Sequence, residues 1–345
     1  MRPVAQNKIA DLLEILSNAK KITVVTHSRP DGDALGSSAA LKIFASEVLG
    51  RDCEVAVPNE FGTYLSFTAA EGIIVGTAEP GKAERRIQES DAIVCIDLNS
   101  TSRCDQLGPA VEKSGAKKIL IDHHLSPELE KFDLAFSETD VSSACELLYR
   151  ILLGTPQIGG DAGKLPRACA EALFTGMTTD TNNFANSVFP GTLEMASGLL
   201  DAGVDREMIL DKLYRSYREN RVRVFSYMLG EKMKITPEGV SYMILTSEEW
   251  EKFGLEQGET EGLVNEPLTI GKVRMSVFLK EDGGLFRVSV RSKRGISANA
   301  FAKSYFHGGG HEQASGGKLQ WPEDIPVREK AAEYVERAAK EFMEK

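Results

Sequence analysis

Short aliphatic and β-branched runs alternate with longer amphipathic stretches through the first half of the chain. Residues 21–27 (KITVVTH), 53–58 (CEVAVP), 91–99 (DAIVCIDLN) and 117–124 (KKILIDHH) are nearly continuous in apolar side chains. That is the pattern of strands covered on both faces. Residues 34–50 (ALGSSAALKIFASEVLG) read as a helix stopped by Gly50, with further helices expected over 141–153 and 166–178. The N-terminal stretch MRPVAQNKIADLLEILSNAKK has the spacing of an amphipathic helix. This strand–helix rhythm predicts an α/β fold with a doubly wound, mostly parallel sheet.

The pattern changes after residue 190. Residues 191–233 are helical in spacing and carry no strand signal. Alternating runs return at 239–246 and 272–293, and EDGG at 281–284 reads as the turn of a hairpin. Helices are expected near 297–306 and 326–343. The chain therefore divides, as an expectation, into an α/β domain over 1–195, a helical connector over 196–233 and a smaller α+β domain over 234–345. No internal repeat is visible.

Composition adds boundaries. Of 345 residues, 42% are apolar and 27% charged, as in a globular protein. No apolar run approaches the roughly 18–20 residues of a membrane span, and the N-terminus lacks the apolar core of a secretion signal. Cys53, Cys95, Cys104, Cys145 and Cys169 are widely spaced, with no CxxC pair. Reduced thiols in a cytoplasm fit them better than a disulfide framework or a zinc knuckle. The net charge of −10 argues against coating long nucleic acid. Within 283–311, however, there is no acidic residue, while Arg287, Arg291, Lys293, Arg294 and Lys303 are all present. A basic island in an acidic chain points to a small anionic ligand.

The candidate chemistry sits just after the expected strands. His27, Asp31 and Asp33 follow the first. Asp97 ends AIVCID, and Asp122, His123 and His124 end KILIDHH. Asp180 instead follows a buried helix and the short run TGMTT. In an open parallel sheet the carboxyl ends of the strands share one edge, which is where ligands bind. Carboxylates gathered there without a cation would raise one another's pKa. Oxygen and imidazole ligands without thiolate suit manganese or magnesium better than zinc. Their number exceeds the needs of one ion and fits a two-metal site acting on phosphate esters. Taken singly, DGD is a common turn, an aspartate at a strand end is a common cap, and HH is a common surface pair.

THSRPDGDALGSS, CIDLNSTSR, LIDHHLS and TGMTTDTNNF, in this order, resemble the four motifs of the DHH phosphoesterase superfamily. FHGGGHEQASGG (306–317) resembles the glycine-rich motif of the DHHA1 domain that often follows. Within the superfamily the chain is most similar to the bacterial nanoRNases that are also phosphatases of 3′-phosphoadenosine 5′-phosphate (pAp). The resemblance implies a DHH domain holding two Mn2+ ions and a DHHA1 substrate-binding domain. One ion would be held by His27, Asp31 and Asp97, and the other by Asp33, Asp97, His123 and Asp180, with Asp97 bridging. Asp122 would orient the following histidine, and His124 would face the substrate phosphate and assist the leaving oxygen. Arg103 matches a position that reaches substrate. Many relatives carry Asp-Thr-Gly where this chain reads Asp180-Thr181-Asn182; asparagine best replaces glycine at positive φ.

In the second half, the backbone of Gly308, Gly309 and Gly310 offers a nest for phosphate. His311, Ser315 and Arg291 are the side chains expected beside it. The glycines also suit a plain helix cap and loop. A substrate held by both domains would be short, such as an oligoribonucleotide of a few residues or a nucleotide bisphosphate. Other readings are a cyclic-dinucleotide or pApA phosphodiesterase, a short-chain exopolyphosphatase or pyrophosphatase, and a nucleotide-binding protein without turnover. No membrane partner is expected, and the sequence leaves a homodimer open.

Overall fold

The computed structural model describes residues 3–68 and 72–344. The chain forms two compact units, Met1–Ser216 and Tyr217–Lys345. The first two residues of the expected N-terminal helical stretch lie outside the described residues.

The first unit opens with α1 (Gln6–Asn18) and β1 (Lys21–Val25), then α2 (Gly32–Ile43), β2 (Asp52–Val57) and β3 (Ile73–Val75). It continues with α3 (Lys82–Gln88), β4 (Ala92–Ile96), α4 (Gly108–Lys113), β5 (Lys117–Asp122) and β6 (Leu134–Ser137). Four helices follow: α5 (Ala144–Leu153), α6 (Arg167–Asp180), α7 (Pro190–Asp201) and α8 (Arg206–Tyr214). The six strands run in the order β3-β2-β1-β4-β5-β6, and every pair is parallel. Successive side chains face opposite sides. Val24, Val55, Val94, Ile96 and Ile119 join the core under α1, α2, α5 and α6. Val25, Ala56, Ile93, Cys95 and Leu120 join the one under α3 and α4. The doubly wound sheet expected from the apolar runs is therefore present. β3, β6, α3 and α4 are additions, being too short to stand out as runs.

Glycines hold α2 and α6 in close contact at two points. A Cβ at Gly36 of α2 would lie 2.6 Å from the Ala172 carbonyl oxygen of α6. A Cβ at Gly176 of α6 would lie 3.0 Å from Asp33 Cα. Small residues let the two backbones touch, and so bring the start of α2 beside α6.

The second unit comprises α9 (Glu219–Tyr227), β7 (Lys234–Ile235), β8 (Val240–Leu245), α10 (Ser247–Lys252), β9 (Met275–Asp282) and β10 (Leu285–Ser292). After these come α11 (Ala298–Tyr305), β11 (Gly309–Gly310), β12 (Ala314–Gln320) and α12 (Ala331–Met343). Its sheet has the order β11-β12-β10-β9-β8-β7 and is antiparallel except for β8 with β9. Gly283 and Gly284 turn the β9–β10 hairpin with φ of 57° and 92°, as a two-residue turn of this hand requires. Phe301 and Val335, from α11 and α12, cover one face. Val224 of α9 packs with Met243 and Phe278 on the other.

The helices of the expected 196–233 connector divide between the units. Met195, Leu199, Ile209 and Leu213 of α7 and α8 are buried in the first core, whereas Val224 is buried in the second. Each helix is amphipathic and buries its own stripe within its own unit. All five cysteines are buried and none forms a disulfide. Among the described residues, no helix is long and apolar enough to cross a membrane.

Candidate metal centre

The strand order of the first unit reverses between β1 and β4, and the crevice at such a reversal is where open α/β sheets bind ligands. His27 follows β1. Asp31 caps α2, with Oδ1 accepting from Asp33 N at 3.0 Å and Ala34 N at 3.1 Å. Asp33 lies in the first turn of that helix. Asp97 follows β4 with a left-handed φ of 57°, and Asp122 is the last residue of β5. Asp180 is the last residue of α6. The α2–α6 contact, not the sheet, carries it to the same edge.

Asp97 lies at the middle of the cluster and is 2% exposed. Its Oδ2 is 3.5 Å from His27 Nε2, which is 4.0 Å from Asp31 Oδ2. Its Oδ1 is 3.3 Å from His123 Nε2. That nitrogen lies 3.6 Å from both Asp33 Oδ2 and Asp180 Oδ2. Ligand atoms of His27, Asp31 and Asp97 fall within 4.8 Å of one another, as do those of Asp33, Asp97 and His123. Asp97 thus presents one oxygen to each group.

The donors fit divalent cations. Asp97 Oδ1 is buried and accepts no well-formed hydrogen bond. An orphaned buried carboxylate oxygen 3.3 Å from His123 Nε2, in one group with Asp33, is the environment that a cation satisfies. His27 Nδ1 lies 2.9 Å from Ser28 O. Donation there leaves the Nε2 lone pair facing the centre, the tautomer a metal ligand needs.

Titration points the same way. Burial, then the charges of Asp97 and Asp180, push Asp33 well above the usual carboxylate range. They do so against two backbone N–H bonds that favour its charged form. Burial lowers the pKa of His123, but the contact with Asp97 and the surrounding carboxylates outweigh it and raise the group to about 10. His27 is raised for the same reason, with burial opposed chiefly by Asp97. Burial also opposes ionisation of Asp97, yet its contacts with His123 and His27 hold it well below the usual range. In the absence of cations, then, the cluster compensates its charge by holding protons.

Asp122 holds His124 and not the adjacent His123. Its Oδ1 is 2.7 Å from His124 Nδ1, and its Oδ2 accepts from His124 N at 3.1 Å. Burial, with help from the positive charge of Arg103, lowers the His124 pKa despite Asp122. Arg103 also acts on His27. It is half-buried, and its carbonyl accepts from Ser28 N at 2.7 Å. Asn182 takes a φ of 48°, the left-handed conformation for which asparagine substitutes for glycine.

The substrate-binding candidates of the second unit form a hairpin. Gly309 pairs with Gly316 and Gly310 with Ser315. The Gly308 N–H donates to Ala302 O at 3.2 Å and the His311 N–H to Ala314 O at 2.8 Å, so neither remains for a phosphate nest. A Cβ at Gly308 would collide with the Gly316 carbonyl, and one at Gly310 would lie 2.7 Å from Ala314 O. Close strand pairing therefore accounts for these two glycines. Ser315 is buried, and its hydroxyl donates to His311 O at 2.8 Å. Arg291, opposite Ala314 on β10, donates to Val290 O at 3.0 Å. The basic island is partly spent: Arg287 Nε lies 3.0 Å from Asp282 Oδ2, and Lys293 Nζ donates to Ile270 O at 3.0 Å.

The sequence reading passed over the support of Asp33. Ala144 N and Cys145 N, at the start of α5, donate to its Oδ2 and Oδ1 at 2.6 and 2.9 Å. The signal available was Ser143-Ala-Cys-Glu146, a helix-start pattern.

Residues 21–177 match the model of the DHH family, N-terminal domain, and residues 239–341 match that of the DHHA1 domain. The bifunctional oligoribonuclease and PAP phosphatase NrnA of Bacillus subtilis (strain 168) is 28% identical, covering 91% of this chain and 94% of that protein. The cyclic-di-AMP phosphodiesterase PdeA of Listeria monocytogenes serotype 1/2a (strain 10403S) is 25% identical over 70% of this chain but only 36% of its own length. The crystal structure of an exopolyphosphatase-related protein from Bacteroides fragilis superposes with a TM-score of 0.89 at 34% identity, covering 100% of this chain and 98% of that one.

Proposed function

The chain belongs to the DHH family, with a DHHA1 domain after its DHH domain, and from that premise we propose that it is a divalent-metal-dependent phosphoesterase of short nucleotides. Its substrates are oligoribonucleotides a few residues long and pAp, the activities named for the NrnA proteins it resembles along nearly its whole length. The observation that carries the reading is Asp97, buried between two ligand groups with one oxygen toward each.

When bound, two divalent ions supply Lewis acidity and charge neutralisation for an in-line displacement at phosphorus. Manganese is the ion proposed. His27, Asp31 and Asp97 would hold one, and Asp33, Asp97, His123 and Asp180 the other. His124, kept in place through Nδ1 by Asp122, offers Nε2 to hold or pass a proton at the leaving oxygen. Arg103 adds positive charge beside both His27 and His124, favouring a phosphate there. In the second unit, Arg291, Gly308, Gly309, Gly310, His311 and Ser315 are proposed to select the nucleotide, Gly308 and His311 without their backbone N–H groups, which are bonded within the unit. Five buried, unpaired thiols accord with action in a reducing cytoplasm.

A hydrolysis panel with Mn2+ tests the proposal: pApA, pAp, longer RNA, cyclic di-AMP and short polyphosphate. pApA and pAp are expected to be turned over and Asp97→Asn to abolish this. Turnover of polyphosphate or cyclic di-AMP alone would replace the substrate reading, and undiminished Asp97→Asn would remove the metal reading.

A further inference from the structure

A second buried carboxylate in the first unit lies outside the metal centre. Glu146, 1% exposed, is in the first turn of α5. Its Oε2 accepts from Ser142 N at 2.9 Å, Ser142 Oγ at 2.8 Å and Thr192 Oγ1 at 2.7 Å. Thr192 Oγ1 in turn accepts from Phe189 N at 3.0 Å. One hydroxyl thereby joins the start of α7 to the carboxylate.

Capping α5 does not require this arrangement. Ser143 already caps the helix by accepting from Glu146 N at 3.0 Å. A buried carboxylate is costly unless its oxygens are satisfied. What three donors on one oxygen achieve is to fix the approach to the helix, residues 142–143, against α7. The next two N–H groups, of Ala144 and Cys145, are those that grip Asp33. With one lone pair of each Asp33 oxygen so engaged, the carboxylate cannot rotate away from His123 and Asp97. The same latch bounds the segment that leaves Asp180. Residues 181–189 include Asn182, Asn183, Phe184 and Ser187, all at positive φ, and Phe189 is where Thr192 takes hold. Non-glycine residues in that region are strained and persist only when their surroundings fix them.

We propose that Glu146 is a positioning residue of the metal centre: through Ser142 and Thr192 it sets the helix start that orients Asp33 and anchors the segment following Asp180. It thereby sets affinity for the ion shared by Asp33, Asp97, His123 and Asp180, and leaves the His27–Asp31 ion alone. The inference rests on the two-ion reading.

The test is calorimetric titration of the full chain with Mn2+ alone, wild type beside Thr192→Val, Glu146→Ala and Glu146→Gln. Unfolding in chelator is followed separately. Thr192→Val and Glu146→Ala should weaken one ion by about tenfold or more, the range typical of supporting-residue losses, with the other unchanged. Glu146→Gln retains an acceptor oxygen and should bind close to wild type. If Glu146→Ala does not fold, Thr192→Val decides. Wild-type binding of both ions by the folded variants, or equal weakening of both, overturns the inference and leaves the two-ion reading standing. A wild type that binds no Mn2+ overturns both.

Discussion

Stripping the ions and raising the pH should destabilise the first unit, and restoring them should remove that dependence. In the ion-free fold, His123 is held at about 10 against an ordinary value of 6.5. A group raised in this way contributes stability that is complete below about pH 6.5 and is lost as the pH climbs toward 10. His27 and Asp33 are raised as well and act in the same direction. Asp97 is lowered, so its contribution is complete above the ordinary carboxylate range and adds no slope here. His124 is lowered, so its penalty falls below about pH 6.5 and is absent above it. At roughly 1.4 kcal/mol per pH unit, the His123 gap corresponds to about 5 kcal/mol at most, shared with its carboxylate partners. Ions bound at saturation displace those protons, which flattens the profile and adds roughly 4 kcal/mol at a thousandfold excess over Kd. The assay is urea unfolding followed by far-UV circular dichroism, from pH 6.5 to 9.5, in chelator and in Mn2+. Trp250 and Trp321 both lie in the second unit, so their fluorescence serves as the internal control. A chelated midpoint that is flat or rises with pH would refute the reasoning. So would an equal slope in Mn2+, or a slope undiminished in His123→Asn, since His27 and Asp33 account only for what remains.

Two further substitutions separate chemistry from scaffold. His124→Gln should lower kcat by about 10²–10⁴ while the number of ions bound is unchanged, because His124 is assigned to the proton and not to the metal; loss of an ion in the titration would reassign it. Gly36→Ala places a methyl 2.6 Å from the Ala172 carbonyl and should cost about 1–3 kcal/mol of first-unit stability in urea unfolding. An unchanged midpoint would show that α2 and α6 separate freely and do not fix the spacing of Asp33 from Asp180.

The parts of the centre legible in the sequence are those that a strand delivers. β4 is apolar and buried throughout, so the position of Asp97 at its carboxyl end follows from the run itself. The same holds for β1 with His27 and for β5 with Asp122. The parts that were not legible depend on contacts between helices. Asp180 reaches the centre because glycines let α2 touch α6, and nothing in TGMTTD announces that neighbour. Asp122 takes His124 because the backbone turns directly after β5, a choice between adjacent histidines that periodicity does not make. The glycine run of the second unit was open to two readings in the sequence. A phosphate nest and a tight hairpin ask for the same residue, and Gly308 and His311 spend their N–H groups inside the unit. Glu146 is the most instructive of these. Its helix-start pattern was visible as Ser143-x-x-Glu146, yet that pattern predicts only a cap. The structure turns the carboxylate instead toward Ser142 and Thr192, 46 positions apart from it in the second case. A local motif thus specifies which donors are available, whereas the fold decides what they hold. In this chain they hold the helix end that grips Asp33, so the precision of the centre depends on residues that never face the metal.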